Sequence, residues 1–312
     1  MTKIFINAKI AERYIEKIRS GFANVEVIPG PGETIPEGTE IVISWGDNFS
    51  PRWLEQPGLK WVHALTAGVD AFLVPGVLEG KVLLTNSRGI HGIPMAEHCF
   101  AMMLGFSRGI AKFVRNQQQQ KWDHNVTLTE LHGKTLGIVG LGSIGMEIAR
   151  VGAAFGMRVL GVKRTPGQPS EGVSRVVSYE GLDMVLKESD YVVLTVPLTP
   201  ETKNLIGKRE LELMNSHAVL INLARGEVID EPALVEALET KEIAGAGLDV
   251  YCQEPLPQDS PFWRLDNCLV SPHRAAISPH YVERAIDLFC RNLEAYLNNE
   301  PLPTRIDPAK GY

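Results

Sequence analysis

The sequence predicts an α/β protein with two doubly wound parallel sheets, the second built into an interruption of the first. Three observations predict this class. Short apolar runs of strand length alternate with helical patterns over most of the 312 residues, the mark of βαβ units. Pro- and Gly-rich joints such as Pro29-Gly-Pro-Gly32 separate the early elements. A second series of the same kind begins after Gly133.

In the first series, residues 3–6, 25–28, 41–44 and 61–65 read as strands, 82–85 as a further short one, and 11–21 as an intervening helix. A long helix is expected over 94–118, opening on Pro94, where a missing N–H costs little. The second series offers strands at 135–139, 158–162, 191–194, 218–222, 245–248 and 268–270, and a final helix over 278–298. One domain is therefore expected from 1–97 with 281–312, and the other from 98–280. The cleft between them is the expected place for a ligand, since such sites favour domain interfaces. Gln117-Gln-Gln-Gln120 is the one low-complexity patch and reads as an exposed helix end.

The second series opens on Thr135-Leu-Gly-Ile-Val-Gly140-Leu-Gly142-Ser-Ile-Gly145. An apolar strand enters a G-x-G-x-x-G turn, and helical character continues from Met146. That order is what a dinucleotide-binding, Rossmann-like unit requires. Gly140 permits the tight turn, Gly142 lets the backbone approach a pyrophosphate, and Gly145 allows close packing of helix on strand. Ser143 and Ile144 open the helix, whose unpaired N–H groups and positive dipole end suit phosphate. The next strand ends on Lys163, Arg164 and Thr165, about 20 residues past the glycines, where an NAD-binding protein places an acid on the ribose 2′-OH. Two cations and a hydroxyl attract a 2′-phosphate, so NADP(H) is expected as the preferred cofactor, with NAD(H) as the second.

Composition narrows the function classes. The chain is 44% hydrophobic and 22% charged, an ordinary globular mixture. A net charge of −6 and a pI near 5.8 argue against a nucleic-acid partner. No apolar run approaches bilayer length, and the N-terminus reads as a first strand rather than a signal peptide. Cys99, Cys252, Cys268 and Cys290 show no C-x-x-C spacing, so neither a metal site nor a disulfide framework is expected. A reducing cytoplasm is the expected location.

Three polar residues stand just past strand candidates of the second series. Arg225 follows residues 219–224, Glu254 follows 248–253, and His273 follows 269–272. Ligands of an open parallel sheet bind outside the carboxyl ends of its strands, so the three are expected to converge. Their chemistry suits carbonyl reduction. Arg225 can hold a carboxylate bidentately and polarise the adjoining carbonyl. His273 can donate a proton to the oxygen, and Glu254 can accept the other imidazole N–H and fix the tautomer. His98, beside Glu97, reads as a residue of packing or of a domain contact.

With these motifs in hand, the chain resembles the D-isomer-specific 2-hydroxyacid dehydrogenase family over about residues 61–303. Gly140–Gly145, Asn222-Leu-Ala-Arg-Gly226, Gly247-Leu-Asp-Val250, Glu254-Pro-Leu-Pro257 and Ser271-Pro-His273 match its motifs in order and spacing. The resemblance implies a flavodoxin-like substrate domain beside the Rossmann-like one. It implies Arg225, Glu254 and His273 as the catalytic trio, Asp249 toward the nicotinamide carboxamide, and Pro197 and Ala224 among the cofactor-lining residues. Thr66-Ala-Gly-Val-Asp70 matches the loop whose backbone N–H groups hold the substrate carboxylate, so Ala67 and Gly68 are implied to bind substrate together with Arg225 and His273. Within the family the chain is most similar to the bacterial glyoxylate/hydroxypyruvate reductase A branch, on Lys163-Arg164-Thr165, Ile43-Ser-Trp45 and Lys310-Gly-Tyr312. That implies NADPH-dependent reduction of small 2-oxo acids, with Trp45 lining the substrate pocket. Arg274 departs from the smaller or apolar residues usual after the histidine.

The rival readings are an NAD-dependent phosphoglycerate-type dehydrogenase and a dinucleotide-sensing corepressor. Lys163-Arg164 speaks against the first, and a compact chain without disordered tails against the second. The resemblance further implies a homodimer, with residues 111–122 as the expected interface.

Overall fold

The computed structural model describes residues 1–308. Lys310-Gly-Tyr312, one of the segments that carry the resemblance, lies outside the described residues. Two compact units are present, residues 1–90 with those from 278 onward, and residues 91–277.

The first unit contains β1 (Thr2–Asn7), α1 (Glu12–Gly21), β2 (Val25–Pro29), β3 (Ile41–Ser44), β4 (Trp61–Ala64), a single-turn α2 (Pro75–Leu78) and β5 (Leu83–Asn86). Its sheet runs β2-β1-β3-β4-β5 with every pairing parallel, the flavodoxin-like order. Every residue of β3 and β4 is buried, because a parallel sheet is covered on both faces and its central strands read as unbroken apolar runs.

The second unit begins with α3 (Gly92–Ser107) and α4 (Ile110–Gln118). The single helix expected over 94–118 is thus two helices. Gly109 sits between them at φ +65°, a left-handed conformation that ends one helix and redirects the next. Then follow β6 (Thr135–Val139), α5 (Ser143–Ala154), β7 (Arg158–Val162), β8 (Arg175–Val177), α6 (Leu182–Glu188), β9 (Tyr191–Leu194), α7 (Lys208–Leu213), β10 (Val219–Asn222), α8 (Glu231–Glu239), β11 (Gly245–Leu248) and β12 (Cys268–Val270). β8 has no counterpart in the sequence reading. It is a three-residue edge strand, partly exposed, with no apolar run to announce it.

The seven strands run β12-β11-β10-β9-β6-β7-β8, all parallel. From β6 the chain winds outward through β7 and β8, then restarts on the other side with β9. The carboxyl ends of β6 and β9 therefore flank the topological switch point, where doubly wound sheets bind ligands. Along β10 the residues alternate between two cores. Leu220 packs with Leu194 and Leu248, and Val219 and Ile221 pack with Met102 and Met103 of α3. Met95, Ala96 and Cys99 belong to that second cluster. The start of α3 therefore packs within the second unit, which runs over residues 91–277. The chain then returns to the first unit with α9 (Tyr281–Leu297), whose Phe289 stacks on Trp61 of β4 at 5.3 Å between centroids.

Candidate active site

The glycine turn joins β6 to α5. Gly140 holds φ +110°, and a Cβ there would lie 2.8 Å from the Thr195 carbonyl carbon. Both its conformation and the space around it exclude a side chain. The Thr195 Oγ1 donates to the Gly140 carbonyl at 2.7 Å, and Gly140 N donates to Val162 O at 2.9 Å, so the ends of β6, β7 and β9 are tied together. A Cβ at Gly145 would collide with the Gly140 carbonyl oxygen. At Gly142 a Cβ would meet nothing within 4 Å. The backbone there borders open space, and no side chain caps the start of α5 at Ser143 and Ile144. Uncapped N–H groups beside an open glycine form a cradle suited to a pyrophosphate. The residues present fit a dinucleotide.

Lys163, Arg164 and Thr165 follow β7 and are all exposed. Arg164 Nη2 lies 3.8 Å from Glu201 Oε2, an acid on the loop after β9 that sequence reasoning missed, since 37 positions of numbering (201 − 164) separate the two. Pro197 is exposed on the same loop, and its carbonyl accepts from Thr202 Oγ1 at 2.6 Å. Ala224 is buried, its N–H donating to Asn222 Oδ1 at 3.0 Å.

Arg225, Glu254 and His273 stand on the loops after β10, β11 and β12, three successive neighbours in the sheet. Arg225 is half-buried, with Nη1 donating to the Ala224 carbonyl at 2.8 Å and its own carbonyl held by Asn222 Nδ2 at 2.9 Å. Gly226, next to it, presses against the Tyr251 backbone so closely that a Cβ would overlap the Tyr251 carbonyl carbon. The loops after β10 and β11 are packed backbone to backbone there. His273 Nδ1 lies 2.7 Å from Glu254 Oε2, and Glu254 Oε1 accepts the Tyr251 N–H at 3.0 Å. With Nδ1–H given to the carboxylate, Nε2 is the ring nitrogen left for chemistry. His273 has φ +52°, a conformation unusual for a residue with a side chain and typical of constrained functional positions.

Asp249 imposes that conformation. Its carbonyl accepts His273 N at 2.8 Å, its Oδ1 accepts Ser271 Oγ at 2.6 Å and Arg274 N at 2.9 Å, and its Oδ2 accepts Ala275 N at 2.8 Å. The carboxylate is 2% exposed and braces the histidine loop. Tyr251 adds a strut, its hydroxyl bridging Leu248 O at 2.8 Å and Ser271 O at 3.0 Å. His98 Nε2 is hydrogen-bonded to Ser271 Oγ at 2.9 Å. Arg274 is exposed. Among the described residues, no group of His, Cys, Asp and Glu is arranged to hold a metal, and no helix is long and apolar enough to cross a membrane.

Trp45, Ala67 and Gly68 belong to the first unit. Trp45 follows β3, is half-buried and packs on Tyr281 with ring centroids 5.4 Å apart. The Tyr281 hydroxyl donates to the Leu65 carbonyl at 2.7 Å, next to the Ala67–Gly68 loop that follows β4. Ala67 and Gly68 are themselves half-buried.

The family profile described as D-isomer specific 2-hydroxyacid dehydrogenase, NAD binding domain, matches residues 100–275. Glyoxylate reductase of Korarchaeum cryptofilum is 33% identical over 321 residues, spanning 98% of this chain and 96% of that protein. Glyoxylate reductase of Pyrococcus furiosus is 35% identical over 322 residues, spanning 98% and 95%. Among solved structures, a D-isomer specific 2-hydroxyacid dehydrogenase of Xanthobacter autotrophicus Py2, in complex with NADPH and MES, superposes with a TM-score of 0.86 at 32% identity over 100% of this chain and 99% of its own. The NADPH-dependent glyoxylate/hydroxypyruvate reductase of Sinorhizobium meliloti, in complex with NADP and sulfate, gives 0.86 at 27% identity over 100% of both chains. With a family profile matching residues 100–275 and relatives 33% and 35% identical over 98% of its length, the chain belongs to the D-isomer specific 2-hydroxyacid dehydrogenase family and is an NAD(P)-dependent oxidoreductase.

Proposed function

We propose that this chain is an NADPH-dependent reductase of small 2-oxo acids, converting glyoxylate to glycolate and hydroxypyruvate to D-glycerate. The observation that carries the reading is the 2.7 Å pair between His273 Nδ1 and Glu254 Oε2, set at the strand ends of the sheet that also bears the glycine cradle. Formation of a hydroxy acid from an oxo acid needs one hydride and one proton, and this pair is built to supply the proton. The reduced nicotinamide, when bound, supplies the hydride.

The protein's own residues do the rest. Gly140, Gly142, Ser143, Ile144 and Gly145 hold the pyrophosphate, and Lys163, Arg164 and Thr165 take the 2′-phosphate. Pro197 and Ala224 line the cofactor, and Asp249, with three of its carboxylate lone pairs taken by the loop, retains one for a carboxamide N–H. Arg225 pairs with the substrate carboxylate and polarises the neighbouring carbonyl, assisted by the Ala67 and Gly68 N–H groups and by the Trp45 face. The His273 imidazolium gives its Nε2 proton to the developing alkoxide and is left as the neutral Nδ1–H tautomer, while Glu254 accepts Nδ1–H and stabilises the charged form and its orientation. The relatives named glyoxylate reductase and the NADP-bound Sinorhizobium meliloti enzyme support both substrate and cofactor.

We further propose a homodimer. Ile110, Phe113 and Val114 on α4 are exposed, as are Trp122 and Leu128 beyond it. A cluster of large apolar side chains on a soluble enzyme's surface marks an association face. The four cysteines are free, which suits the reducing cytoplasm we propose as the location.

Absorbance at the reduced-nicotinamide band tests the function, with NADPH and NADH compared and glyoxylate, hydroxypyruvate, pyruvate and phosphohydroxypyruvate offered in turn. Rapid NADPH loss with the first two is expected. A preference for NADH overturns the role given to Lys163 and Arg164. Turnover confined to phosphohydroxypyruvate overturns the substrate assignment in favour of a phosphoglycerate-type dehydrogenase. Silence with every oxo acid overturns the reductase itself and leaves a dinucleotide-binding role.

A further inference from the structure

The proposed carboxylate cradle has to present two backbone N–H groups, Ala67 and Gly68, toward the same side. In a trans peptide the N–H and the C=O point in opposite directions, so an amide can be aimed by tethering the carbonyl of its own peptide unit. Both carbonyls in question are tethered. The Thr66 carbonyl accepts the Ser87 N–H at 3.0 Å, which turns the Ala67 N–H away from β5. The Ala67 carbonyl accepts the side-chain Nδ2 of Asn86 at 2.6 Å, which turns the Gly68 N–H the same way. Thr66 Oγ1 closes the loop on itself by donating to the Gly68 carbonyl at 2.6 Å. Among the described residues neither the Ala67 nor the Gly68 N–H donates to the protein. Two successive unpartnered N–H groups on one side of a loop form an anion-binding nest.

Asn86 is placed to do this with little freedom. It ends β5, opposite Ala64 in the register of the two strands. It is 3% exposed, and its Oδ1 accepts the Arg88 N–H at 3.4 Å. That contact settles which end of the amide faces Ala67, because only the NH2 end can donate to a carbonyl.

We propose that Asn86 is a positioning residue for substrate, its side-chain amide turning the Ala67–Gly68 peptide so that its N–H faces the carboxylate of the 2-oxo acid. The inference rests on the reductase reading above. The carboxylate is unchanged by the reaction, so the cradle holds ground state and transition state alike and its loss appears in KM rather than in kcat.

The test uses Asn86→Ala and the isosteric Asn86→Asp, which keeps the volume but sets an acceptor against the Ala67 carbonyl. Thr85→Val serves as the control. That buried hydroxyl contacts Trp61 Nε1 and His63 Nδ1, not the loop. KM for glyoxylate and the dissociation constant of oxalate from the NADPH-loaded enzyme are measured, oxalate being a two-carbon dicarboxylate that cannot accept hydride. Both constants are expected to rise together by about ten- to a hundredfold in the Asn86 variants, the range for one hydrogen bond to a charged group. The expected kcat stays within about threefold, NADPH affinity is unchanged, and Thr85→Val lowers Tm without moving either constant. Wild-type turnover of glyoxylate establishes the underlying reading. With turnover in hand, Asn86 variants that lose only Tm and keep both constants overturn the positioning role. Absence of wild-type turnover overturns the reading and the inference with it.

Discussion

His273 illustrates how little of a side chain's placement resides in the residue itself. Its φ of +52° costs energy in isolation and is held by Asp249, which engages His273, Arg274 and Ala275 through their N–H groups. His273→Ala is expected to lower kcat by about 10²- to 10⁴-fold, the scale of a general acid, with the NADPH dissociation constant unchanged. A titration in which this variant loses NADPH would contradict the division of roles between the trio and the cradle. Asp249→Asn should be worse than loss of a single contact, because one carboxylate serves three donors from the 271–275 loop. If Arg164 takes a 2′-phosphate as proposed, Glu201 at 3.8 Å competes for it. Glu201→Gln is expected to tighten NADPH by a few-fold, the modest effect of an exposed pair, and to leave NADH affinity nearly constant. The glycine turn after β6 and the placement of Arg225, Glu254 and His273 just past three neighbouring strands were legible in sequence, because each follows a strand candidate. Asp249 as a loop brace, Glu201 and Asn86 were not. Their partners are remote in sequence, and nothing local marks them.

At the scale of elements, β4 carries an acid-sensitive group. Burial pushes the His63 imidazole down from 6.5 to about 3. One assignment of protons satisfies the whole network: Trp61 Nε1 donates to Thr85 Oγ1, which donates to His63 Nδ1, while Nε2–H donates to Ser87 Oγ, which donates to the Ala64 carbonyl. A second proton, on Nδ1, would turn the Thr85 hydroxyl from donor to acceptor and take away the ring as partner of its O–H. The unfolded chain's histidine protonates near 6.5, so between about 6.5 and 3 the unfolded state binds more protons and stability falls with pH. His63→Gln is expected to be less stable at neutral pH yet to lose less Tm on acidification to about pH 4, with His91, pushed down to about 4 by burial in the other unit, supplying part of the remaining slope. Parallel melts at several pH values check this; equal slopes would remove His63 as the cause. The α3–α4 break makes a separate point. Gly109→Ala adds a side chain at φ +65° and places its Cβ 2.9 Å from Val126 Cγ1, so a destabilisation of at least about 1 kcal/mol by urea unfolding is expected. Apolar periodicity runs through this junction without interruption, which is why the sequence pattern suggests one helix. Only the backbone conformation at a single glycine divides it.

For the whole molecule, the exposed Ile110, Phe113 and Val114 face predicts association. Sedimentation at micromolar concentration should show a dimer, and Phe113→Glu together with Val114→Lys should shift it to monomer without abolishing NADPH binding. A wild-type monomer would discard the homodimer. The fold class follows from strand-length apolar runs alternating with helical patterns, since a buried parallel strand must be apolar on both faces and its crossover helix on one. Pattern alone therefore determined that the protein has two wound sheets, where a glycine turn joins strand to helix, and which three strand ends carry the polar residues proposed for the chemistry. The tertiary structure alone decided the register and order of the strands, the edge position of β8, the tethering of Ala67 and the brace beneath His273. Periodicity is a property of neighbours along the chain, whereas a hydrogen bond such as Asn86 to Ala67 depends on two segments meeting at 2.6 Å, a distance that exists only after the sheet between them has formed.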